Sequence, residues 1–401
     1  MTVRRLLATQ LLAALLLGGC VGVETGPTKA EKEAAAARIV ADAAVAQSAA
    51  EQSGTIHIGV TGPMTGDLAA FGEQLQRGAE MAVRDINAAG GVLGRTLTLD
   101  IADDHCSARE DADNAANELV AKGVVFVDGH FCSGSTIRGS KIYAPANVLQ
   151  ITPSSPNTLV TDSAVQSKIT TLLRVIGRED MQGNFAADWL ATTYAGQPIV
   201  VISDNSLYGK GIAARLLAGL KEKGVTPILN ASFAQGQTSY GNLVAKLKEI
   251  KPSVLYVAAY HDDIGRLVWA MRASRVDVAV IGPDSLDTPE FWSYSQGRGN
   301  GVRFSDAALA AERPEAAELV ARLRAEGADP TNDILQAYAA VQVFAAGATA
   351  TKGTDAKEIA AYLRQNTVKT ILGDLNWDEK GDLTQAGYIW YVWRDGLAVR
   401  E

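Results

Sequence analysis

The stretch TIHIGVTGPMTG, residues 55–66, decides the fold of this chain. Its first seven residues are rich in Ile, Val and Thr, the composition of a strand buried on both faces. Gly62, Pro63 and Gly66 break the strand. Residues 72–89 then carry Leu75, Ala79, Ala82, Val83 and Ile86 at helical spacing, until Gly90-Gly91 stops the helix. The same unit recurs outward from there. Strands are predicted at 97–102, 124–127 and 148–151, with helices at 109–122 and 135–144. A second series starts near Leu172, with strands at 172–175, 199–203, 227–231, 254–259 and 278–281. Its helices fall at 180–194, 211–223, 241–250 and 263–273. The C-terminal third adds helices at 314–326, 333–348 and 356–365, and a strand at 388–394 whose aromatic residues face both ways. Strand–helix alternation predicts an α/β fold with mostly parallel sheets covered by helices on both faces. Two consecutive doubly wound units predict two lobes. Ligands of such sheets bind beyond the carboxyl ends of the strands, so two lobes suggest a cleft between facing ends.

Composition narrows the function classes. The chain has 401 residues, 37 Lys+Arg against 45 Asp+Glu, and 47% apolar residues. That apolar share builds a core and excludes global disorder. A net charge of −8 argues against nucleic acid as a partner, since phosphate binding needs a basic face.

The N-terminus reads as an address. Residues 1–10 carry Arg4 and Arg5 and no acid, residues 11–17 are Leu and Ala, and Gly18, Gly19 and Cys20 follow. This order describes a signal peptide over residues 1–19. Leu17-Gly18-Gly19-Cys20 looks like a bacterial lipobox, in which the cysteine is acylated and becomes the new N-terminus. Residues 20–54, rich in Ala, Glu and Lys, read as lipid anchor and tether, with helix over 29–48. Export and an even remainder favour a bridge between Cys106 and Cys132 over two separate buried thiols.

Catalytic signatures are scarce. His57, His105, His130 and His261 form no H-E-x-x-H, and no C-x-x-C, G-x-S-x-G, G-x-G-x-x-G or Walker loop is present. No metal or cofactor is therefore expected. Asp103-Asp104-His105-Cys106 reads as a strand end followed by a disulfide cysteine. His261-Asp262-Asp263 could supply a base, but reads better as a helix start with Asp262 capping it. Small polar and aromatic residues instead gather at strand ends: the 129–136 turn, the 152–155 turn, Tyr208, Tyr260 and Asp284. Backbone N–H groups and hydroxyls over 133–136 suit a carboxylate, and Asp284 suits an ammonium. One at a time these residues are turn chemistry; as a set they describe a ligand cleft.

These residues, in this order, resemble the periplasmic leucine/isoleucine/valine-binding proteins of ABC importers, the type I solute-binding proteins. The resemblance runs from residue 55 to about 396. It is carried by 62–66 (GPMTG), 82–91 (AVRDINAAGG), 103–106 (DDHC), 129–136 (GHFCSGST), 151–153 (ITP), 208–211 (YGKG), Gly282-Pro283 and 376–382 (NWDEKGD). It implies a two-lobed periplasmic-binding-protein fold with three hinge crossovers, near 173–176, 302–305 and 375–379. Lobe one would comprise 55–174 plus 305–376, and lobe two 175–304 plus 377–401. The family's disulfide matches Cys106 and Cys132. Its carboxylate-binding serine matches Ser133, and its backbone contact after the fourth strand matches Ser154. Phe71, Tyr208 and Tyr260 match aromatic residues lining the cleft, and Asp284 matches the acidic ammonium partner, usually Glu. The family's second carboxylate-binding hydroxyl falls on Pro156, with Ser155 beside it as a substitute. The resemblance implies a lipid-anchored, monomeric protein at the periplasmic face of a bacterial membrane. It would deliver an amino acid, or a small organic acid or amide, to an ABC permease, without catalysis. Two alternatives stand beside this: a ligand-sensing module of the same fold for a membrane receptor, and an exported enzyme using His261 with Asp262 or Asp263.

Overall fold

The computed structural model describes residues 28–107, 109–308 and 310–401. The expected signal segment, residues 1–19, and Cys20 lie outside the described residues. The chain divides after Arg38, and its body runs from Ile39 to Glu401. Helix α1, Lys29–Ser53, begins in a capping box. Thr28 N–H and Oγ1–H donate to Glu31 Oε2 at 2.7 and 2.8 Å, and Glu31 N–H donates to Thr28 Oγ1 at 3.3 Å. From Ile39 onward this helix is not the free tether expected of it. Ala43 is buried, with Ile39 and Val40 beside it, among Leu119, Val120 and Val124. Gln47 Nε2 donates to Val124 O at 3.2 Å. Gly123 permits the approach, because a Cβ there would stand 2.7 Å from the Ala46 Cβ.

The first sheet is parallel throughout, in the order β2-β1-β3-β4-β5. Its strands are β1 Thr55–Gly62, β2 Thr96–Asp103, β3 Phe126–Gly129, β4 Leu149–Thr152 and β5 Leu172–Arg174. Helices α2 Ala69–Ala88, α3 Glu110–Ala121, α4 Ser133–Tyr143 and α5 Thr158–Gln166 connect them. The strand order reverses between β1 and β3, where such sheets bind ligands. Helix α4 starts at Ser133, two residues before the predicted start.

The second series supplies α6 Glu179–Thr193, β6 Ile199–Asp204, α7 Leu207–Glu222, β7 Leu229–Phe233, α8 Gly241–Ile250, β8 Val254–Ala258, α9 His261–Ala273, β9 Ala279–Gly282, α10 Glu290–Tyr294 and β10 Arg303–Ala307. The chain then returns to the first lobe through α11 Ala317–Ala325, α12 Asn332–Thr351 and α13 Ala356–Leu363, and a small hairpin, β11 Val368–Thr370 with β12 Gly373–Leu375. Helix α12 is long and apolar enough to span a membrane by composition, yet it is largely buried in the body as a core helix. Phe344 stacks on Phe126 at 4.7 Å. Gly78 of α2 lets the two helices close up, since a Cβ there would come within 2.2 Å of the Ile334 carbonyl oxygen. The chain ends in β13 Tyr388–Arg394 and β14 Leu397–Arg400, joined through Asp395-Gly396, both at positive φ as a tight hairpin requires. The second sheet runs β14-β13-β10-β9-β8-β6-β7. Strand β13 is sealed on both faces: Trp390 packs on Trp189 at 4.8 Å and Trp393 on Phe291 at 5.3 Å. Because β10 pairs with both β9 and β13, the second crossing follows Ala307 rather than falling within 302–305.

Arg174 anchors the first crossing and the third. It is fully buried, and its guanidinium donates to Ser155 O (2.9 Å), Asn157 O (3.1 Å) and Thr161 Oγ1 (2.8 Å). Its Nε lies 2.7 Å from Asp382 Oδ1, and Arg178 reaches Asp382 Oδ2 at 2.8 Å. The Arg174 carbonyl accepts from Trp377 Nε1 at 2.7 Å. A buried charge stripped of its partner is costly, so Asp382→Ala is expected to lower stability by about 3–5 kcal/mol. The urea midpoint measures this, and a loss below about 1 kcal/mol, the value of an exposed pair, would contradict it.

Candidate functional site: the cavity between the lobes

Both sheets turn their carboxyl edges toward one cavity. The first lobe lines it with Phe131, Ser133, Ser154 and Pro156, and with Asn332, Asp333 and Gln336 of α12. The second lobe contributes Tyr208, Tyr260, Asp284, Ser285, Asp287 and Asp306. Ser133 is the first residue of α4, where backbone N–H groups have no intrahelical partner. Cys132, just before it, is bonded to Cys106, which ties the β3–α4 turn to the loop after β2.

The predicted residues do not all reach the cavity. Ser133, Ser154, Tyr208, Tyr260 and Asp284 line it. Tyr208 and Tyr260 stack at 4.9 Å. Tyr208 donates its hydroxyl to Asp284 Oδ1 at 2.7 Å, and Gln182 Nε2 donates to the same oxygen at 3.0 Å. Ser154 donates to Asp333 Oδ1 at 2.6 Å. Ser155 faces the interior of its own lobe. Its hydroxyl lies 2.6 Å from the Thr136 hydroxyl and donates to the carbonyls of Phe131 (2.8 Å) and His130 (3.1 Å), which pins the turn that carries Ser133. It does not replace the hydroxyl missing at Pro156, whose ring lines the cavity with no donor to offer. Phe71 stands one layer back, stacked on Phe131 at 4.2 Å.

Phe131 lies in the 129–136 turn that the sequence singles out, whereas sequence reasoning missed Ser285, Asp287, Asp306, Asn332, Asp333 and Gln336. A signal existed for three of them. Asn332, Asp333 and Gln336, at i, i+1 and i+4, put polar groups on one side of an otherwise apolar helix. No such pattern marks Asp306, which enters at the end of β10.

The cavity is electrically one-sided: among the described residues, no Lys, Arg or His lines it. Burial raises the pKa of each of its four carboxyls. Asp333 is pushed up to about 7, partly offset by its bond from Ser154. Asp287 is pushed up to about 6, Asp306 rises well above the carboxylate range, and Asp284 rises despite its bonds from Tyr208 and Gln182.

Beside the cavity the lobes meet along a seam. Arg266 of α9 pairs with Asp67 of the first lobe at 2.7 Å, and Gln74 Nε2 donates to Thr288 Oγ1 at 3.3 Å. The His261 ring is edge-on to Phe71 at 4.8 Å and lies 5.5 Å from Tyr294. It is fully buried, and neither ring nitrogen has a partner among the described residues. Burial, reinforced by Arg266 and opposed by Asp67, lowers its pKa to about 3. Its neighbours are engaged elsewhere. Asp262 sits in the first turn of α9, where an acid is expected, and holds Arg266 at 2.6 Å; the N-cap position itself is Tyr260, which makes no side-chain cap bond. Asp263 accepts from Tyr240 and from Gly236 N–H. This is not the geometry of an acid–base pair.

A family model described as periplasmic binding protein matches residues 55–396. An amino acid binding protein of Pseudomonas aeruginosa is 35% identical over 341 residues, covering 84% of this chain and 90% of the relative. The Leu/Ile/Val-binding protein BraC3 of Rhizobium johnstonii is 32% identical over 86% of this chain and 93% of its own. Among solved structures, the leucine binding protein LivK of Thermotoga maritima superposes with a TM-score of 0.78 at 22% identity, covering 86% of this chain and 97% of that one. The substrate-binding protein LivJ of Streptococcus pneumoniae, in complex with isoleucine, gives 0.77 at 23%, with the same coverage. At these identities the structures establish the fold.

The disulfide closes a loop with a sequence separation of 26. Replacing Cys106 and Cys132 together with Ser is expected to remove about 3–4 kcal/mol of stability. Denaturant unfolding checks this, and an unchanged midpoint would show that the bridge does not brace the turn.

Proposed function

The chain belongs to the periplasmic binding protein family, and from that premise we propose that it captures a small amino acid between its lobes and presents it to an ABC permease. The observation that carries this is one cavity lined by Ser133 of the first lobe and Asp284 of the second. The ligand carboxylate takes the Ser133 hydroxyl and the first N–H groups of α4, whose dipole favours an anion. The ammonium takes Asp284, held in place by Tyr208 and Gln182. Tyr208 and Tyr260 cover the ligand. A ligand that touches both lobes only when they are together shifts the population toward the closed form, and the permease docks that form. No covalent step is involved. The protein works as an exported monomer held at the membrane by acyl chains on Cys20.

Two measurements test the proposal. Titration calorimetry of ligand-stripped protein against the common amino acids is expected to find binding in the micromolar range or tighter. Removing one hydrogen bond to a charged group costs about 1.5–3 kcal/mol, so Ser133→Ala is expected to weaken binding roughly 10–150-fold. Asp284→Ala should weaken binding of an amino acid more than that of its des-amino acid. Silence across the panel, or equal losses for both ligands, would contradict the assignment.

The seam adds a pH dependence. His261 is neutral in the closed form at any pH above about 3, whereas an imidazole exposed by opening titrates near 6.5. Below about 6.5 the proton therefore binds the open form, and closure weakens by up to tenfold per pH unit. The cavity carboxyls, raised on closure, act in the opposite sense, so the His261 contribution is read against His261→Phe: between pH 6.5 and 4.5 the affinity of the native protein is expected to fall relative to that variant. Identical slopes in the two proteins would contradict this account of the seam.

A further inference from the structure

The cavity has a side that a carboxylate and one ammonium do not use. Beyond Asp284 its wall is built from Asp287, Asp306 and Asp333, with the carboxamides of Asn332 and Gln336 beside them. Each acid comes from a different element: the loop after β9, the end of β10 and the first turn of α12. Asp306 is 3% exposed and accepts from Asn332 Nδ2 at 2.9 Å and from Ala307 N–H at 2.6 Å. The Asp287 carboxyl lies beside that of Asp306, whose pKa its charge helps to raise. Independently of this grouping, Asp287 Oδ2 is shut off from solvent and has no hydrogen-bond partner among the described residues. Asp333 spends one oxygen on Ser154, and a carboxylate offers about four lone-pair sites. The wall thus holds acceptor capacity that this chain does not fill. Among the described residues, no side chain lining the cavity carries a positive charge.

An aliphatic side chain placed here would press on carboxyl oxygens and strip them of water with nothing in return. A cationic nitrogen would donate to these carboxyls and allow them to ionise together. We infer that the ligand is a basic amino acid, its carboxylate at Ser133, its α-ammonium at Asp284, and its side-chain cation among Asp287, Asp306 and Asp333. This rests on the assignment of the cleft above and adds to it the class of side chain. Of the two relatives named above, one is a Leu/Ile/Val-binding protein, and the inference separates this chain from it.

Proton exchange gives a readout that depends on charge rather than fit. With the lobes closed Asp287 and Asp333 titrate near 6 and 7, so closure over a neutral side chain at pH 6.5 takes up protons that a cation bound among them keeps off.

The experiment is titration calorimetry of the ligand-stripped protein at pH 6.5 with lysine, ornithine, arginine, norleucine and leucine, in two buffers of different ionisation enthalpy. Norleucine is lysine without its side-chain nitrogen. At least one basic amino acid is expected to bind ten or more times tighter than norleucine, with a buffer-dependent heat that reports less proton uptake than norleucine's. Asp333→Asn is expected to shrink that preference at least tenfold. Asp287→Asn serves the same purpose where Asp333→Asn does not fold. Leucine or norleucine binding as tightly as every basic amino acid would overturn the inference and leave the amino-acid cleft standing. An unchanged preference in both Asp variants would likewise overturn it. No binding by any of the five would overturn the inference, and extension of that silence to the full panel would overturn the cleft as well.

Discussion

Closing the two lobes with nothing between them is a poor bargain, and the rest of this structure depends on that fact. The seam contacts are weak singly. The Arg266–Asp67 pair has a largely exposed partner in Asp67, and such pairs contribute about 0–1 kcal/mol. Against them stand a buried imidazole with no hydrogen-bond partner among the described residues and four carboxyls raised by burial. Each loses hydration when the lobes meet. A ligand that supplies charge and hydrogen bonds to both sides reverses the balance, and closure then reports occupancy.

The hinge has the opposite character. Arg174, Arg178, Asp382 and Trp377 form a dense charged and hydrogen-bonded node where two crossings meet. Its parts satisfy one another without a ligand, so it keeps the lobes in register while the seam opens. The disulfide and Ser155 play the same part at the rim by holding the turn that presents Ser133. Rigid supports under a marginal seam are what a two-state capture device needs.

Much of the fold was legible because buried parallel strands are short Ile- and Val-rich runs, and each helix between them keeps its apolar spacing. The start of α4 was placed two residues late, because Ser133-Gly134-Ser135 are poor helix formers and only tertiary context makes them a first turn. Helix α5 was not predicted, as its apolar spacing is weak. Residues 39–53 read as a spacer because an Ala-rich run shows no strong stripe; small residues nonetheless pack closely onto a glycine. In the cavity, Ser133, Tyr208, Tyr260 and Asp284 were readable because strand ends place them. Ser155 and Phe71 lie in the right loops, but side-chain direction, which sequence does not carry, puts one inside its lobe and the other behind Phe131. Asp306 and Asp333 arrive through chain crossings, whose meeting point is a property of the whole topology.

Solution scattering tests the closing of the lobes most directly. The radius of gyration of ligand-stripped protein is to be compared with that of the protein saturated with its tightest-binding amino acid. The account predicts an extended free form and a saturated form that matches the compact arrangement described above. Equal radii under saturating ligand, with either form as compact as this structure, would contradict it.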